Sequence, residues 1–336
     1  MRGVSAAPRR GRALAACAAT LFAAFLAVEL LLRFALGNFA ALSLVDFSPA
    51  DGRRVALRPS ARVMHNSGLL PPAPVEHEVN SQGFRGPERP LRRPGRGPRI
   101  AMIGDSFVFG MSVGEEHTIP AYLQAILKRS DAPEAEVLNF GIPNTEIDDH
   151  LEQLRVFASR WQPDLVIVSV EREDFRERLL PASARRTMRI KTWLFQNVYS
   201  LRLACRIASS CGFGQAAPVP APVMKARYSL LARTARGLSG ASPVALVVGR
   251  IPDIAGLPGR EGEEEFRRIM RDCGMPWIDV STIRLRHNVA RGDFHLDPAG
   301  SLLAAQRLAA FLRRIGALTP AQPATAKARR PGGGPA

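Results

Sequence analysis

The longest apolar run in the chain comes at its start. From Ala13 to Leu32 the side chains are small or hydrophobic, interrupted only by Thr20 and Glu29. At 1.5 Å per residue a helix of this length spans about 30 Å, the hydrocarbon thickness of a bilayer. Arg2, Arg9, Arg10 and Arg12 precede it, a bias that keeps the N-terminus cytoplasmic and sends the rest of the chain outside. Glu29 lies four residues before Arg33 on one helical face, near the far interface, where it can pair or reach water. The pattern predicts a transmembrane signal anchor over residues 13–36 behind a basic cytoplasmic N-terminus, residues 1–12. An Ala35-Leu36-Gly37 site makes a cleaved signal peptide the competing reading. Leu14-Ala15-Ala16-Cys17 spells a lipoprotein box, but its apolar stretch follows Cys17 where it should precede it.

Residues 37–98 show little periodicity and recurrent Pro and Arg. They read as a linker and lead-in, with a short strand and turn over Val79–Gly86 and a loop over Arg92–Pro98. Regular patterning begins at Arg99. Arg99–Ile103, Val137–Phe140, Leu165–Val170, Val244–Val248 and Trp277–Val280 are apolar runs of strand type, the third continuous enough for burial on both faces. Helical stripes fall between them: Ile119, Tyr122, Leu123, Ile126 and Leu127, then Ile147, Leu151, Leu154, Ala158 and Trp161, then Phe266, Ile269, Met270 and Cys273. A last helix starts with Asp297 as N-cap and Pro298 at its first position, and runs to about Ile315. Strands alternating with amphipathic helices predict an α/β domain over residues 99–315. Its expected form is a doubly wound, flavodoxin-like sheet of five parallel strands with helices on both faces. Residues 175–242 read as a basic, partly helical insertion, either a lid or rim over a site or a decoration on the sheet edge.

Composition changes this picture little. Apolar residues make up 46% of the chain, enough for a core. The tail over residues 316–336, above all Thr319–Ala336, is mostly Pro, Ala, Gly and Lys/Arg and cannot offset its ordering entropy, so disorder is expected. The formal charge of +16 comes mainly from Arg spread along the chain. It lacks the zinc-finger spacing, aromatic signature or basic zipper of a nucleic-acid binder, so no nucleic-acid partner is expected. Cys205 and Cys211 can pair if the domain is exported, or stay as two thiols. No cysteine has metal-ligand spacing.

Chemistry is expected at the carboxyl ends of the strands, where ligands gather in open α/β sheets. Strand one runs into Gly104-Asp105-Ser106-Phe107-Val108-Phe109-Gly110, strand two into Asn139-Phe140-Gly141-Ile142-Pro143-Asn144, and strand three into Glu171-Arg172-Glu173-Asp174-Phe175. Gly292-Asp293-Phe294-His295-Leu296-Asp297-Pro298-Ala299-Gly300 precedes the last helix. A serine hydroxyl is a poor nucleophile near neutral pH and needs a base within hydrogen-bond reach. Ser106, on the turn after strand one, is placed to project into the cleft.

In order and spacing these blocks resemble those of the SGNH/GDSL hydrolase superfamily. Asn80-Ser81-Gln82-Gly83-Phe84-Arg85 ahead of them resembles its membrane-anchored branch, and the resemblance covers roughly Asn80 to Ile315. It implies an SGNH-hydrolase fold, with Ser106 as nucleophile, His295 as the base that takes and later returns its proton, and Asp293 holding the imidazole. Gly104, Asp105 and Asp174 are the accompanying motif positions. Asp297 competes with Asp293, but an Asp before Pro suits a helix cap better. The family's oxyanion hole maps onto the Ser106 N–H, the Gly141 N–H and, where the family has an asparagine, Glu173. An ionised carboxylate cannot donate a hydrogen bond, and loss of one such donor costs about 2.7–4 kcal/mol. Three resolutions stand: Glu173 protonated in a dry pocket, Asn144 supplying the amide, or a domain that binds with little or no turnover.

The resemblance implies a serine esterase or deacylase acting outside the cytoplasm, in the periplasm, on O-acyl groups of a cell-envelope or secreted polysaccharide. Acyl transfer to a sugar hydroxyl uses the same parts. A glycan-binding component working with envelope polysaccharide assembly proteins is the non-catalytic alternative. The mechanism calls for no metal and no cofactor.

Overall fold

The computed structural model describes residues 7–38, 43–46, 55–69, 74–92, 95, 97–130, 132–171, 174, 190, 193–195, 197–210, 219–248, 259–289 and 293–318. Glu173, Cys211, the Cys205–Cys211 pairing and the Thr319–Ala336 tail lie outside them.

Helix α1 (Ala7–Ala35) opens the chain. Its segment Gly11–Ala35, 25 residues long and containing an 18-residue stretch of mean hydropathy 2.2, is long and apolar enough to cross a membrane. The lead-in that follows is more structured than its sequence pattern suggests. Strands β1 (Leu36–Asn38), β4 (Arg62–Leu69) and β5 (Val75–Glu78) form an antiparallel sheet, and β2 (Val45–Asp46) pairs with β3 (Ala56–Leu57). Strands β2 and β3 have two residues each, and Arg62, His65 and His77 interrupt the apolar pattern of β4 and β5, so there is little alternation to detect. Their apolar side chains, Leu44, Val45, Leu57 and Val79, pack against Phe109, Met111 and Ile142 of the next domain. The turn expected after Val79 is present, closed by an antiparallel bridge between Val79 and Arg85.

The central sheet contains β6 (Arg99–Gly104), β7 (Glu136–Gly141), β8 (Leu165–Val170), β9 (Val244–Val247) and β10 (Trp277–Asp279), in the order β7-β6-β8-β9-β10. All four pairings are parallel, the doubly wound arrangement read from the sequence. The helices are α2 (Ser106–Phe109), α3 (Ile119–Lys128), α4 (Ile147–Val156), α5 (Tyr199–Ser210), α6 (Ala221–Ser239), α7 (Gly259–Asp272) and α8 (Pro298–Arg314).

Alternate side chains of each strand leave by opposite faces. Ala101, Ile103, Val166, Val168 and Val247 meet Leu154 of α4, Tyr228 and Leu231 of α6, and Phe266 and Ile269 of α7. Ile100, Met102, Ile167 and Leu246 meet Leu123 and Leu127 of α3 and Ala305, Leu308 and Leu312 of α8. Helix α8 begins as expected, with the Asp297 carboxylate accepting the Gly300 N–H at 2.6 Å.

One boundary needs correction. The stretch read as an insertion over 175–242 includes α6, whose Met224, Tyr228, Leu231, Ala232 and Ala235 are buried under the sheet. A parallel β8–β9 pair requires a crossover, and α6 is that crossover helix. Only the part before it is additional to the doubly wound plan.

Candidate active site

The central strand β6 ends at Gly104, and the chain turns at once into α2. Asp105 makes that turn: its carboxylate accepts the Phe107 N–H at 3.0 Å and caps the helix. Gly104 is required for close approach, since a Cβ there would lie 2.0 Å from Ser169 Oγ on β8. Ser106 is therefore the first residue of a short helix that starts at the carboxyl edge of the sheet.

His295 and Asp293 reach the same place from the segment before α8. His295 Nε2 lies 2.8 Å from Ser106 Oγ, and His295 Nδ1 lies 2.6 Å from Asp293 Oδ1. That carboxylate oxygen also accepts the His295 backbone N–H at 2.9 Å, so one residue is gripped at two points. Asp293 and His295 are buried while Ser106 is half-buried. Asp297, the competing acid, is instead occupied with its helix cap. The structure thus joins three residues that are up to 189 positions apart in the chain.

Sequence reasoning missed several neighbours. Ser112 donates to Asp293 Oδ2 at 2.9 Å and occupies the carboxylate's second oxygen. Phe294, largely exposed, stacks on the His295 ring at 4.8 Å, and Phe107 lies 5.3 Å from it. Buried Arg85, from the lead-in turn, donates to the carbonyls of Phe109, Gly110 and Val113, each at 2.7 Å. It thereby satisfies the last carbonyl of the helix that bears Ser106 and two carbonyls just beyond it. Buried His77 holds the Met111 carbonyl at 2.7 Å, and His65 lies beside His77 with ring centroids 5.4 Å apart. Desolvation pushes the imidazole pKa values down, to about 3 for His65 and about 2 for His77. Arg85, Phe107 and Phe294 stood within quoted motifs. Ser112 and the histidines follow no sequence pattern.

The expected oxyanion donors do not all face the serine. The Gly141 N–H donates to Asn139 Oδ1 at 3.0 Å, a local turn in which the asparagine side chain folds back on its own strand end. A Cβ on Gly141 would lie 2.1 Å from Phe109 N, so this glycine serves contact with the back of α2. The role expected for the Gly141 N–H is corrected accordingly. Asn144 is exposed and holds a left-handed backbone, φ 64°, on the loop after β7, a conformation asparagine tolerates better than most residues. Asp174 is buried, with its Oδ2 accepting the Glu171 N–H at 2.9 Å. Burial raises its carboxyl pKa well above the usual range, and Asp105, Glu171 and Glu146 add to the rise against that hydrogen bond. Among the described residues no group of three or more His, Cys, Asp or Glu could hold a metal ion.

No protein-family profile matches the chain, and no curated protein matches it. Solved structures do. An acylhydrolase described as a lipase from Enterococcus faecalis shares 13% identity at a TM-score of 0.42, covering 67% of this chain and 100% of its own. A catalytic mutant of Axe2, an acetylxylan esterase from Geobacillus stearothermophilus, shares 16% at 0.40, covering 67% and 97%. A protein assigned to the lipolytic G-D-S-L family, from Desulfitobacterium hafniense, shares 15% at 0.41, covering 63% and 98%.

Proposed function

We propose that this chain is a serine hydrolase that cleaves ester groups, with Ser106 as nucleophile, His295 as general base and acid, and Asp293 as the group that orients the imidazole. The observation that carries the reading is the hydrogen-bonded series Ser106–His295–Asp293. Asp293 accepts from Nδ1–H, which leaves Nε2 as the acceptor facing Ser106 Oγ. In the proposed reaction Ser106 Oγ attacks the ester carbonyl as His295 takes its proton. Collapse of the tetrahedral intermediate expels the alcohol, which takes that proton from His295. Water, deprotonated in turn by His295, then releases the acid and restores Ser106.

The oxyanion is assigned to the Ser106 N–H, at the start of α2, and to Asn144. We place the site outside the cytoplasm, tethered by α1, with O-acyl groups of an envelope or secreted polysaccharide as the substrate class and a sugar hydroxyl as an acceptor able to replace water. The apolar length of α1 and the arginines before it support this placement.

The test is hydrolysis of a short-chain aryl acetate by the full chain in detergent micelles. Ser106→Ala is expected to lower kcat by at least about a thousand-fold. Asn144→Gly keeps the left-handed backbone and removes the side chain, and it is expected to lower kcat by about 10²–10³ if the amide meets the oxyanion. Equal turnover by wild type and Ser106→Ala would end the hydrolase reading. An unchanged Asn144→Gly would remove that side chain from the oxyanion hole.

A further inference from the structure

Helix α5 is polar on its inside and apolar on its outside. Tyr199 and Arg202 are buried, whereas Leu201, Ala204, Cys205 and Ile207 are exposed and Ala208 is half-exposed. At 100° per residue the outward residues span an arc of about 160° that contains no charge among its described side chains. A soluble surface helix shows the opposite arrangement. Just ahead of it in the chain Trp193 is 60% exposed and Ile190 55%, beside 56% for Ile207 and 40% for Leu201.

This helix is fastened to α1. The Glu29 carboxylate accepts the N–H groups of Tyr199 at 2.7 Å and Ser200 at 2.8 Å, an anion seated on the helix N-terminus. Four residues further along α1, the Arg33 guanidinium lies 5.4 Å over the Tyr199 ring. Glu29 is six residues from the end of the apolar segment Gly11–Ala35, which sets the joint at the level of the outer bilayer boundary. Tryptophan, tyrosine and arginine gather at that depth in membrane proteins.

The inward face of α5 leads towards the site. Arg202 lies 4.3 Å over the Tyr199 ring, and its Nε donates to the Phe195 carbonyl at 3.1 Å. Arg202, Asp293 and His295 all act electrostatically on buried His65.

We propose that α5 is an interfacial helix whose outward face, with Trp193 ahead of it, lies in the outer boundary of the lipid bilayer that α1 spans. The Ser106–His295–Asp293 site is thereby held close to the membrane surface. The occupant of the apolar face is lipid, because that face continues the apolar surface of α1 through the Glu29 and Arg33 joint. The inference rests on α1 being a membrane anchor.

The experiment uses the full chain in nanodiscs of phosphatidylcholine and phosphatidylglycerol. A nitroxide is attached to one accessible thiol at a time: native Cys205 on α5, Leu26→Cys inside α1, or Gln306→Cys on the exposed side of α8. The other accessible cysteines are replaced by serine. Collision with molecular oxygen and with a neutral nickel chelate then reads depth. The expected result is loss of nickel contact at Leu26→Cys and Cys205, with full contact at Gln306→Cys. Nickel contact at Cys205 equal to that at Gln306→Cys, with Leu26→Cys still shielded, would overturn the interfacial seat and leave the anchor standing. Nickel contact at Leu26→Cys as well would overturn the anchor and this inference with it. In Glu29→Ala, shielding at Cys205 is expected to be lost and that at Leu26→Cys kept. Shielding retained at Cys205 would remove Glu29 as the fastening.

Discussion

Ser112 shows how a residue outside every motif can govern one inside it. Asp293 Oδ1 serves His295, and Ser112 fixes the other oxygen. Without that donor the carboxylate can turn and leave a buried lone pair unsatisfied, a cost of about 1–3 kcal/mol. Ser112→Ala is therefore expected to lower kcat about ten-fold or more with KM unchanged, and Ser112→Thr, which keeps the hydroxyl, to restore it. Steady-state kinetics on the aryl ester decide, and an unaltered kcat in Ser112→Ala would sink the idea. That Ser106, Asp293 and His295 meet was legible through the resemblance of their blocks, at a strand end and before a capped helix, to those of a known family. Ser112 was not, since a serine six positions past Ser106 carries no spacing signal. Gly141 was misread for a related reason. A glycine after a strand looks the same whether its N–H faces a cleft or is held by Asn139.

At the scale of elements, the lead-in acts as the clamp of the helix that bears Ser106. Arg85 supplies donors to three carbonyls at and beyond the end of α2 and is paired with Glu115 at 3.1 Å. Arg85→Met would strand those buried acceptors, at a cost of about 3 kcal/mol or more. Arg85→Lys would restore little, because an ammonium lacks the planar fork that reaches several acceptors at once. Thermal unfolding followed alongside esterase activity checks this, and an Arg85→Met chain that melts with wild type would refute it. The sheet and its flanking helices were readable from periodicity because both faces of β6, β7, β8 and β9 are buried. The lead-in strands were not, since β2 and β3 have two residues each and their pairing is fixed by contacts with Phe109 and Ile142. The same limit hid α6, whose basic residues mask a buried stripe.

For the whole molecule, the buried lead-in histidines His65 and His77 set a direction for acid sensitivity. An unfolded histidine titrates near 6.5, whereas His65 and His77 in the fold are held down to about 3 and about 2. Between those limits the unfolded chain binds protons that the native chain does not, so stability falls as pH falls below about 6.5 and is flat in this respect above it. Each histidine contributes a slope of up to about 1.4 kcal/mol per pH unit. Asp174, with its raised pKa, works in the opposite sense. Urea midpoints of wild type and His77→Gln at pH 7 and pH 5 separate the two effects. The variant keeps a donor for the Met111 carbonyl and should lose about half of the histidine-driven drop. Equal pH dependence in both chains would contradict this assignment.

The contact between Glu29 and the start of α5 joins residues 170 and 171 positions apart. During synthesis the N-terminal helix is made first, carrying a carboxylate whose partners do not yet exist. Until Tyr199 and Ser200 have been made and delivered, that charge has to be hydrated or met by another partner. Completion of the fold then relieves it. Early and late parts of this chain are thus coupled through a single side chain, and on the topology proposed above residues 36–198 cross before the anchor reaches its final energy.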